Sequence, residues 1–305
     1  MSDKQRQTKG ADINEAYTSH PRHFQGSQLI YPVLSRRSRG ISIGVNLCPN
    51  KKCNFNCLYC QVARPPKAPP DKYENISLNR LKSELVDILG RVLSGQIYNF
   101  EPFDKAPRKL RRLNDIALSG DGEPTAAPDF LNACKEIIQV KRELSLEKLK
   151  IVLITNSSLL DMPEVQEGLK LLDVNQGEIW AKLDAGNESF FQFVNRSSVP
   201  FEQILKNITQ AAQIRPIVIQ SLFMRLDGRR VSQSEVAAYA ERLAEIVQSG
   251  GQIISIQLHT IARPPRQTRV SALTAEEVDE IAREINQIVE IPIDRFYGFA
   301  PDHIV

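Results

Sequence analysis

The sequence has no apolar run long enough to cross a membrane and no apolar stretch near its start. Its longest apolar runs, such as IVLI at residues 151–154, fall far short of the roughly 20 residues that a membrane helix needs. The opening residues, MSDKQRQTKG, are polar and do not have the composition of a secretory signal. We therefore expect a cytoplasmic protein with no membrane partner.

Cysteine is scarce, but the few cysteines are clustered. The chain has five in 305 residues, and four of them fall within residues 48–60. In a reducing cytoplasm, clustered cysteines bind metal more often than they form disulfides. The fifth, Cys134, lies in a helical pattern with apolar neighbours, where we expect it to belong to the core.

An excess of charge of either sign is also lacking, because 39 basic residues nearly balance 36 acidic ones and leave a net charge of +3. This balance does not by itself indicate a polyanionic partner. One run, KAPRKLRR at residues 105–112, is strongly basic. It is most simply a solvated loop, and its alternative role is to bind RNA.

Strand and helix patterns alternate six times along the chain. The β-prone runs lie at 41–47, 115–119, 150–156, 178–184, 216–223 and 252–259. Helical patterns lie at 77–95, 128–142, 161–172, 200–213, 232–251 and 274–290. The last two open on predicted capping boxes, Ser232 with Glu235 and Thr274 with Glu277.

This alternation predicts an α/β fold with a parallel sheet, either a partial (β/α)6 TIM-like barrel or a doubly wound sheet. In both architectures ligands bind at the carboxyl ends of the strands. We expect a flexible N-terminal extension at 1–39, a core at 40–265, and a C-terminal helix and tail at 266–305 that pack on the core. The proline-rich stretch ARPPKAPP, residues 63–70, is expected to be a loop.

The clustered cysteines directly follow the first predicted strand, and three interpretations compete for them. Four thiolates can hold a structural zinc ion, as in a nucleic-acid-binding module. Four can also saturate an iron–sulfur cluster that only transfers electrons. Alternatively, Cys53, Cys57 and Cys60 hold three irons of a [4Fe–4S] cluster and leave the fourth open, as catalytic metal sites require.

The spacing in CNFNCLYC resembles the C-x3-C-x2-C motif of the radical S-adenosylmethionine (SAM) superfamily. One strand–helix unit later, SGDGEPT at residues 119–125 resembles the Gly-Gly-Glu-Pro motif of that superfamily, with Asp121 in place of the first glycine. The glycines there would let the backbone approach a ligand closely. The resemblance covers roughly residues 40–265, and the branch with tRNA 4-demethylwyosine synthases and related iron–sulfur oxidoreductases looks nearest.

The resemblance implies a role for residues at several strand ends. It implies that Cys53, Cys57 and Cys60 hold the cluster and that Cys48 does not. It also implies SAM contacts from Tyr59, Gly120, Asp121, Gly122, Glu123, Pro124, Asn156, Lys182 and Asp184. After the sixth strand, His259 and Arg263 are expected to face the substrate, His259 as a proton donor or a packed polar residue and Arg263 as an anion binder.

The implied cofactors are a [4Fe–4S] cluster and SAM. A one-electron reductant such as flavodoxin or ferredoxin would reduce the cluster, SAM would be cleaved, and a 5′-deoxyadenosyl radical would abstract hydrogen from a substrate. The sequence assigns no single catalytic residue and does not identify the substrate. RNA, held through residues 105–112, and protein are the candidates.

Overall fold

The computed structural model describes residues 17, 21–63 and 72–298. The expected flexible start, most of the proline-rich loop and the end of the C-terminal tail fall in 1–16, 18–20, 64–71 and 299–305, outside the described residues. No helix in the described ranges is both long and apolar enough to cross a membrane.

The fold is built from alternating strands and helices. The strands are β1 (Ile30–Ser35), β2 (Gly40–Val45), β3 (Leu113–Leu118), β4 (Lys150–Thr155), β5 (Gly177–Lys182), β6 (Ile217–Leu222), β7 (Arg225–Leu226), β8 (Arg229–Arg230), β9 (Ile253–His259), β10 (Val270–Ser271) and β11 (Ile293–Phe296). The helices are α1 (Leu78–Leu93), α2 (Phe130–Glu143), α3 (Pro163–Asp173), α4 (Glu188–Asn195), α5 (Phe201–Ile214), α6 (Gln233–Gln248) and α7 (Ala275–Asn286).

Eight of these strands form one curved sheet in the order β1-β2-β3-β4-β5-β6-β9-β11. The six predicted strands are its centre, β2 to β6 and β9, and they pair in parallel. The partial (β/α)6 barrel is thus confirmed. Helical crossovers cover the outer face, as parallel strands require, and a small sheet of β10, β7 and β8 lies beside it.

Two edge strands were not predicted. β1 pairs antiparallel with β2, and β11 pairs in parallel with β9. Over β1 the expectation of a flexible extension is wrong, because this segment joins the sheet as a strand. Pro32 obscured it, since proline is unfavourable inside a sheet and tolerated on an edge strand. In the C-terminal segment, α7 confirms the predicted helix, and β11 adds a strand to the tail.

Helix α4 was also missed, and its start explains a wrong prediction about α6. The Thr274–Glu277 capping box of α7 is present as predicted. At α6 only half of the box forms: Ser232 accepts a hydrogen bond from the Glu235 backbone N–H. The Glu235 carboxylate instead accepts from the backbone N–H of Gly186 and the side chain of Asn187, which caps α4.

The start of β1 is held by one carboxylate on α1. Glu84 accepts hydrogen bonds from the Ser27 hydroxyl at 2.6 Å and from the backbone N–H groups of Leu29 and Ile30 at 2.8 and 3.2 Å. Arg80 adds a salt bridge at 2.6 Å. Burial alone would raise the pKa of Glu84, but these donors hold it below its ordinary value of 4.5.

Replacing Glu84 by alanine should lower the free energy of unfolding by about 2 kcal/mol at neutral pH, because several buried donors lose their acceptor. The difference from wild type should shrink as the pH falls through the depressed pKa of Glu84, since protonation removes the same stabilisation. Urea unfolding at several pH values measures both effects. The control Glu167→Ala, at an exposed position on α3, should change stability by less than about 0.5 kcal/mol. A pH-independent effect at position 84 would contradict this account.

Candidate functional site

A cavity of about 320 Å³ lies on the inner face of the curved sheet. It extends from the cysteine segment and the carboxyl ends of the strands to the turn between β1 and β2. The sequence-predicted residues that line it are Cys53, Cys57, Tyr59, Cys60, Gly120, Asp121, Gly122, Glu123, Asn156, Lys182, His259 and Arg263. The rule that ligands gather at the carboxyl ends of strands therefore located this cavity correctly.

The four clustered cysteines do not have equivalent places. Cys53, Cys57 and Cys60 line the cavity, whereas Cys48 is buried in the core and its thiol donates to the backbone carbonyl of Glu123 at 3.5 Å. Burial, and next to it the charge of Glu123, raises the pKa of Cys48 well above its ordinary value. Its place in the core and its bond to the Glu123 carbonyl separate Cys48 from the three cysteines that line the cavity.

Cys57 is also held mainly as a thiol in the protein alone. Burial, followed by the negative charge of Asp184, raises its pKa to about 12. Across the described residues, no group of three or more His, Cys, Asp or Glu side chains is arranged around one metal ion. Cys134 is fully buried on α2, which confirms that it is a core residue.

The cysteine segment is fixed by hydrogen bonds to its neighbours. The backbone N–H groups of Asn56 and Leu58 donate to the last carbonyls of α4, those of Asn195 and Val194, at 3.1 and 2.8 Å. On the other side, the Asn54 side chain accepts a hydrogen bond at 2.8 Å from an asparagine that follows β4. Helix α4 and the end of β4 therefore position the three cysteines.

Asn46, which the sequence analysis did not single out, joins the cysteine segment to the loop after β3. Its Oδ1 accepts from the backbone N–H groups of Cys48 and Asp121 at 3.2 and 3.1 Å. Its Nδ2 donates to the Asp121 carboxylate at 2.8 Å. Asp121 thereby occupies the position of the missing motif glycine with its side chain turned to the protein.

The two glycines of the GDGEP loop are required by this close contact. Gly120 has φ +150°, and a Cβ there would lie 2.4 Å from Oδ1 of Asn46. A Cβ on Gly122 would lie 1.9 Å from the carbonyl oxygen of Lys52. The sequence analysis explained these glycines by the approach of a ligand. The structure shows that the approach of the cysteine segment already requires them.

Glu123 joins the ends of β3 and β4. Its carboxylate accepts four hydrogen bonds, from the Thr125 backbone and hydroxyl at 3.2 and 2.7 Å, the Thr155 hydroxyl at 2.7 Å and the Asn156 backbone at 2.7 Å. Burial nevertheless raises its pKa. Pro124 is buried in the short turn that follows and does not line the cavity.

Asp184 is the corresponding hub at the end of β5. It accepts from the Tyr59 hydroxyl, the Asn195 side chain at 3.1 Å, Lys182 Nζ at 3.3 Å and the Leu222 backbone at 2.9 Å. Asp184, which was expected to contact SAM, is buried, pairs with Lys182 and does not line the cavity. It positions Tyr59, whose pKa burial and the Asp184 charge raise well above normal.

Asn195 touches both this hub and a predicted cluster ligand. Its Nδ2 lies 3.6 Å from Sγ of Cys57 and 3.4 Å from the Tyr59 hydroxyl, in addition to its bond to Asp184. Its Oδ1 is buried without a hydrogen-bond partner among the described residues. The sequence signal was a single polar residue ending the apolar run SFFQFV, in a helix too short for its pattern to be recognised.

His259, the last residue of β9, and Arg263, which follows the strand, both line the cavity. His259 Nδ1 donates to the backbone carbonyl of Gln257 at 3.2 Å. Burial, followed by the positive charges of Lys182 and Arg37, lowers the pKa of His259 well below 6.5. The imidazole is therefore neutral near pH 7 and presents Nε2 as an acceptor, which does not suit the expected proton donor. Arg263 extends into the same cavity.

The basic loop at 105–112 does not line the cavity. It precedes β3 and therefore lies at the amino ends of the parallel strands, opposite the cysteine segment. Arg111 donates to the backbone carbonyls of Asp104 and Ala106, each at 2.8 Å, and stacks 4.8 Å from the centre of the Tyr98 ring. The Arg111 guanidinium is therefore already bound within the loop and its surroundings.

Replacing Asp184 by asparagine should destabilise the protein by about 2–3 kcal/mol, because the amide faces donors that need an acceptor. Amide hydrogen exchange should accelerate at Asn56 and Leu58, the backbone groups that fix the cysteine segment. Urea unfolding and exchange mass spectrometry measure these effects. The control Asp294→Asn, at an exposed position on β11, should change neither. Unchanged exchange at Leu58 would show that Asp184 does not hold the segment.

Comparison with known proteins places this architecture in a family. The Radical SAM superfamily matches residues 47–228, more than half of the chain. A UPF0026 protein of Helicobacter pylori (strain ATCC 700392 / 26695) is 30% identical over 237 residues, which cover 76% of this chain and 66% of that protein. The UPF0026 protein MJ1312 of Methanocaldococcus jannaschii is 25% identical over 260 residues, covering 85% and 71%. The chain thus spans just under two thirds of the Helicobacter protein.

A solved structure of TYW1 with a lysine–pyruvate adduct bound is similar over most of the chain. It has a TM-score of 0.53 and 14% sequence identity, and the match covers 82% of this chain and 74% of that one. At this identity the likeness shows the fold alone. The superfamily match over more than half of the chain shows that the chain belongs to the radical SAM superfamily.

Proposed function

We propose that this enzyme holds an open-site [4Fe–4S] cluster on Cys53, Cys57 and Cys60 and cleaves SAM reductively to begin a reaction on a substrate in the same cavity. The observation that carries the proposal is the separation of the cysteines. The three at the superfamily spacing line one cavity, and the fourth is turned into the core.

The donor set fits such a cluster. Each thiolate of a four-iron cluster binds a different iron, so its cysteines do not converge on a single ion as zinc ligands do. Three cavity-lining thiols on one loop match this requirement. Removal of Cys48 from the cavity leaves one iron without a protein ligand, which is the condition for SAM to bind there.

Held by Cys53, Cys57 and Cys60, the cluster would pass one electron from an external reductant to the sulfonium of SAM, and the carbon radical released from SAM would abstract hydrogen from the substrate. The chain's own residues shape the space in which this occurs. Asn46 and Glu123 fix the loop after β3 against the cysteine segment, so its backbone presents a rigid wall. Asp184 fixes Tyr59 and Lys182, with Lys182 Nζ 5.1 Å from the centre of the Tyr59 ring.

The alternative functions place different demands on Cys48. A closed electron-transfer cluster or a four-cysteine zinc site would take Cys48 as a ligand, whereas its thiol bonds to a backbone carbonyl beneath the loop. We propose a one-electron reductant of the flavodoxin or ferredoxin class as the partner. An RNA substrate held at 105–112 would bind at the far end of the barrel, so we do not include that loop in the site.

Alanine at Cys53, Cys57 or Cys60 should each abolish 5′-deoxyadenosine formation after anaerobic reconstitution with iron and sulfide, because each removes a cluster ligand. Cys48→Ala should keep most of the activity and serves as the matched control. Chromatographic assay of 5′-deoxyadenosine measures both. Activity in any of the first three variants would refute the ligand assignment, and its complete loss in Cys48→Ala would support a four-ligand cluster.

Replacing Asn195 by valine should lower the reduction potential of the cluster, because the donor near Cys57 Sγ stabilises the more negative reduced state. A redox titration followed by electron paramagnetic resonance measures this change. The control Asn175→Val alters an asparagine at the end of α3 that does not line the cavity. Equal midpoint potentials in wild type and Asn195→Val would show that Asn195 has no influence on the cluster.

A further inference from the structure

The cavity is lined by more positive than negative side chains. Its cations are Arg22, Arg36, Arg37, Lys182 and Arg263, and its carboxylates are Asp115, Asp121 and Glu123. Such an excess inside a partly enclosed space is costly unless an anion compensates it, because burial weakens hydration of each charge.

Three of the cations already have protein partners. Arg22 donates to the Tyr31 hydroxyl at 2.9 Å and lies 3.9 Å from the Asp121 carboxylate. Lys182 pairs with Asp184, and Arg36 donates to the backbone carbonyl of a tyrosine after β11 at 2.5 Å. These three side chains are therefore fixed by the fold.

Arg37 and Arg263 are different. Within the described part of the chain, neither guanidinium donates a hydrogen bond or lies in a salt bridge. The carboxylates of the cavity are already occupied: Asp115 accepts from the Ser42 hydroxyl, and Asp121 and Glu123 bond within the loops described above. Two cations thus face the cavity with their donors unused.

Neighbouring positive charges add to the cost of burying these two groups. Burial, with the neighbouring charge of Arg36, lowers the pKa of Arg37 to about 10. Burial, with the charges of Arg22 and Arg37, lowers that of Arg263 to about 9. Asp115 attracts Arg37 without reaching salt-bridge distance. An oxyanion between them would relieve both the repulsion and the lost hydration.

Their attachment suits recognition. Arg37 sits in the tight turn between β1 and β2, and its guanidinium lies 5.6 Å from the centre of the Trp180 ring, which restricts its orientation. The backbone carbonyl of Arg263 accepts from Gln61 at 3.2 Å, which ties it to the cysteine segment. A planar guanidinium held in this way binds a phosphate or carboxylate through two parallel hydrogen bonds.

We propose that the substrate is a small molecule carrying an oxyanion, a phosphate or a carboxylate group, and that Arg37 and Arg263 bind this group inside the barrel. The assignment of this anion as the substrate rests on the proposed function. The anion site itself does not. Because Arg37 enters the cavity from the turn between β1 and β2, the site extends beyond the strand ends where SAM is expected.

The test uses the reconstituted full-length chain with SAM at saturation, so that the carboxylate of SAM has already taken its own place. Inorganic phosphate and malonate are titrated calorimetrically at constant ionic strength, with chloride as the balancing anion. Arg37→Met and Arg263→Met should each weaken binding of the preferred probe at least about tenfold, because each removes a charged two-bond donor. Tighter binding of phosphate or of malonate identifies the group.

The matched control is Arg39→Met, which removes the same charge from an exposed position in the same turn and should change the affinity less than twofold. Arg37→Lys keeps the charge without the fork and should bind with intermediate affinity, so a folding defect in Arg37→Met does not decide the result. Equal affinities in wild type, Arg37→Met and Arg263→Met would overturn the proposal. Binding of the probes only when SAM is left out would also overturn it, because the cations would then serve the carboxylate of SAM.

The anion site and the proposed function fail in different ways. A chain that binds phosphate through Arg37 and Arg263 but never forms 5′-deoxyadenosine would overturn the proposed function and leave the anion site standing. A chain that cleaves SAM but binds neither probe better than Arg37→Met would overturn the anion site alone.

Discussion

The cysteine segment, residues 48–60, contains no helix or strand, so its shape depends on hydrogen bonds supplied by its neighbours. Two buried carboxylates hold the neighbours that supply these hydrogen bonds. Glu123 fixes the strand ends on one side, and Asp184 fixes Tyr59 and Asn195 on the other. Buried carboxylates with all acceptors used are rigid, because losing any one donor leaves an uncompensated charge. The positions of the three cavity-lining thiols follow from this network.

The same network determines the electrostatics of the cavity. Carboxylates at the strand ends are consumed by backbone and side-chain donors, and they are not available to the arginines opposite them. The result is a site whose negative groups are structural and whose positive groups, Arg37 and Arg263, remain available. The hydrogen bonds of the strand-end carboxylates thus have two consequences. They fix the loop after β3 that is proposed to face the cofactor, and they leave Arg37 and Arg263 available to an anion.

The sequence was most informative where a single physical rule acts locally. Continuous apolar runs predicted the six central strands, and cysteine spacing predicted which three of the clustered cysteines line the cavity. Prediction from the sequence failed for elements whose formation depends on tertiary contacts. β1 contains Pro32 and becomes a strand only by pairing with β2, and the eight-residue α4 is stabilised by its contacts.

Side-chain direction was the other limit on prediction from sequence. Lys182 and Asp184 were both expected to contact SAM, yet only Lys182 reaches the cavity, because Asp184 follows the end of the strand and turns toward protein donors. Arg37 had no sequence signal beyond a charge in a turn, and such charges are usually solvated. The basic loop at 105–112 carried a stronger signal but lies outside the cavity, at the amino ends of the parallel strands.

The central claim is that three cysteines hold a cluster with one iron left open. Mössbauer spectroscopy of the protein reconstituted with iron-57, before and after addition of SAM, tests it most directly, because the method reports each iron environment separately. The account predicts that SAM changes the spectrum of one iron in four and leaves three unchanged. A spectrum that is identical with and without SAM would contradict it and would mean that a fourth protein ligand closes the cluster.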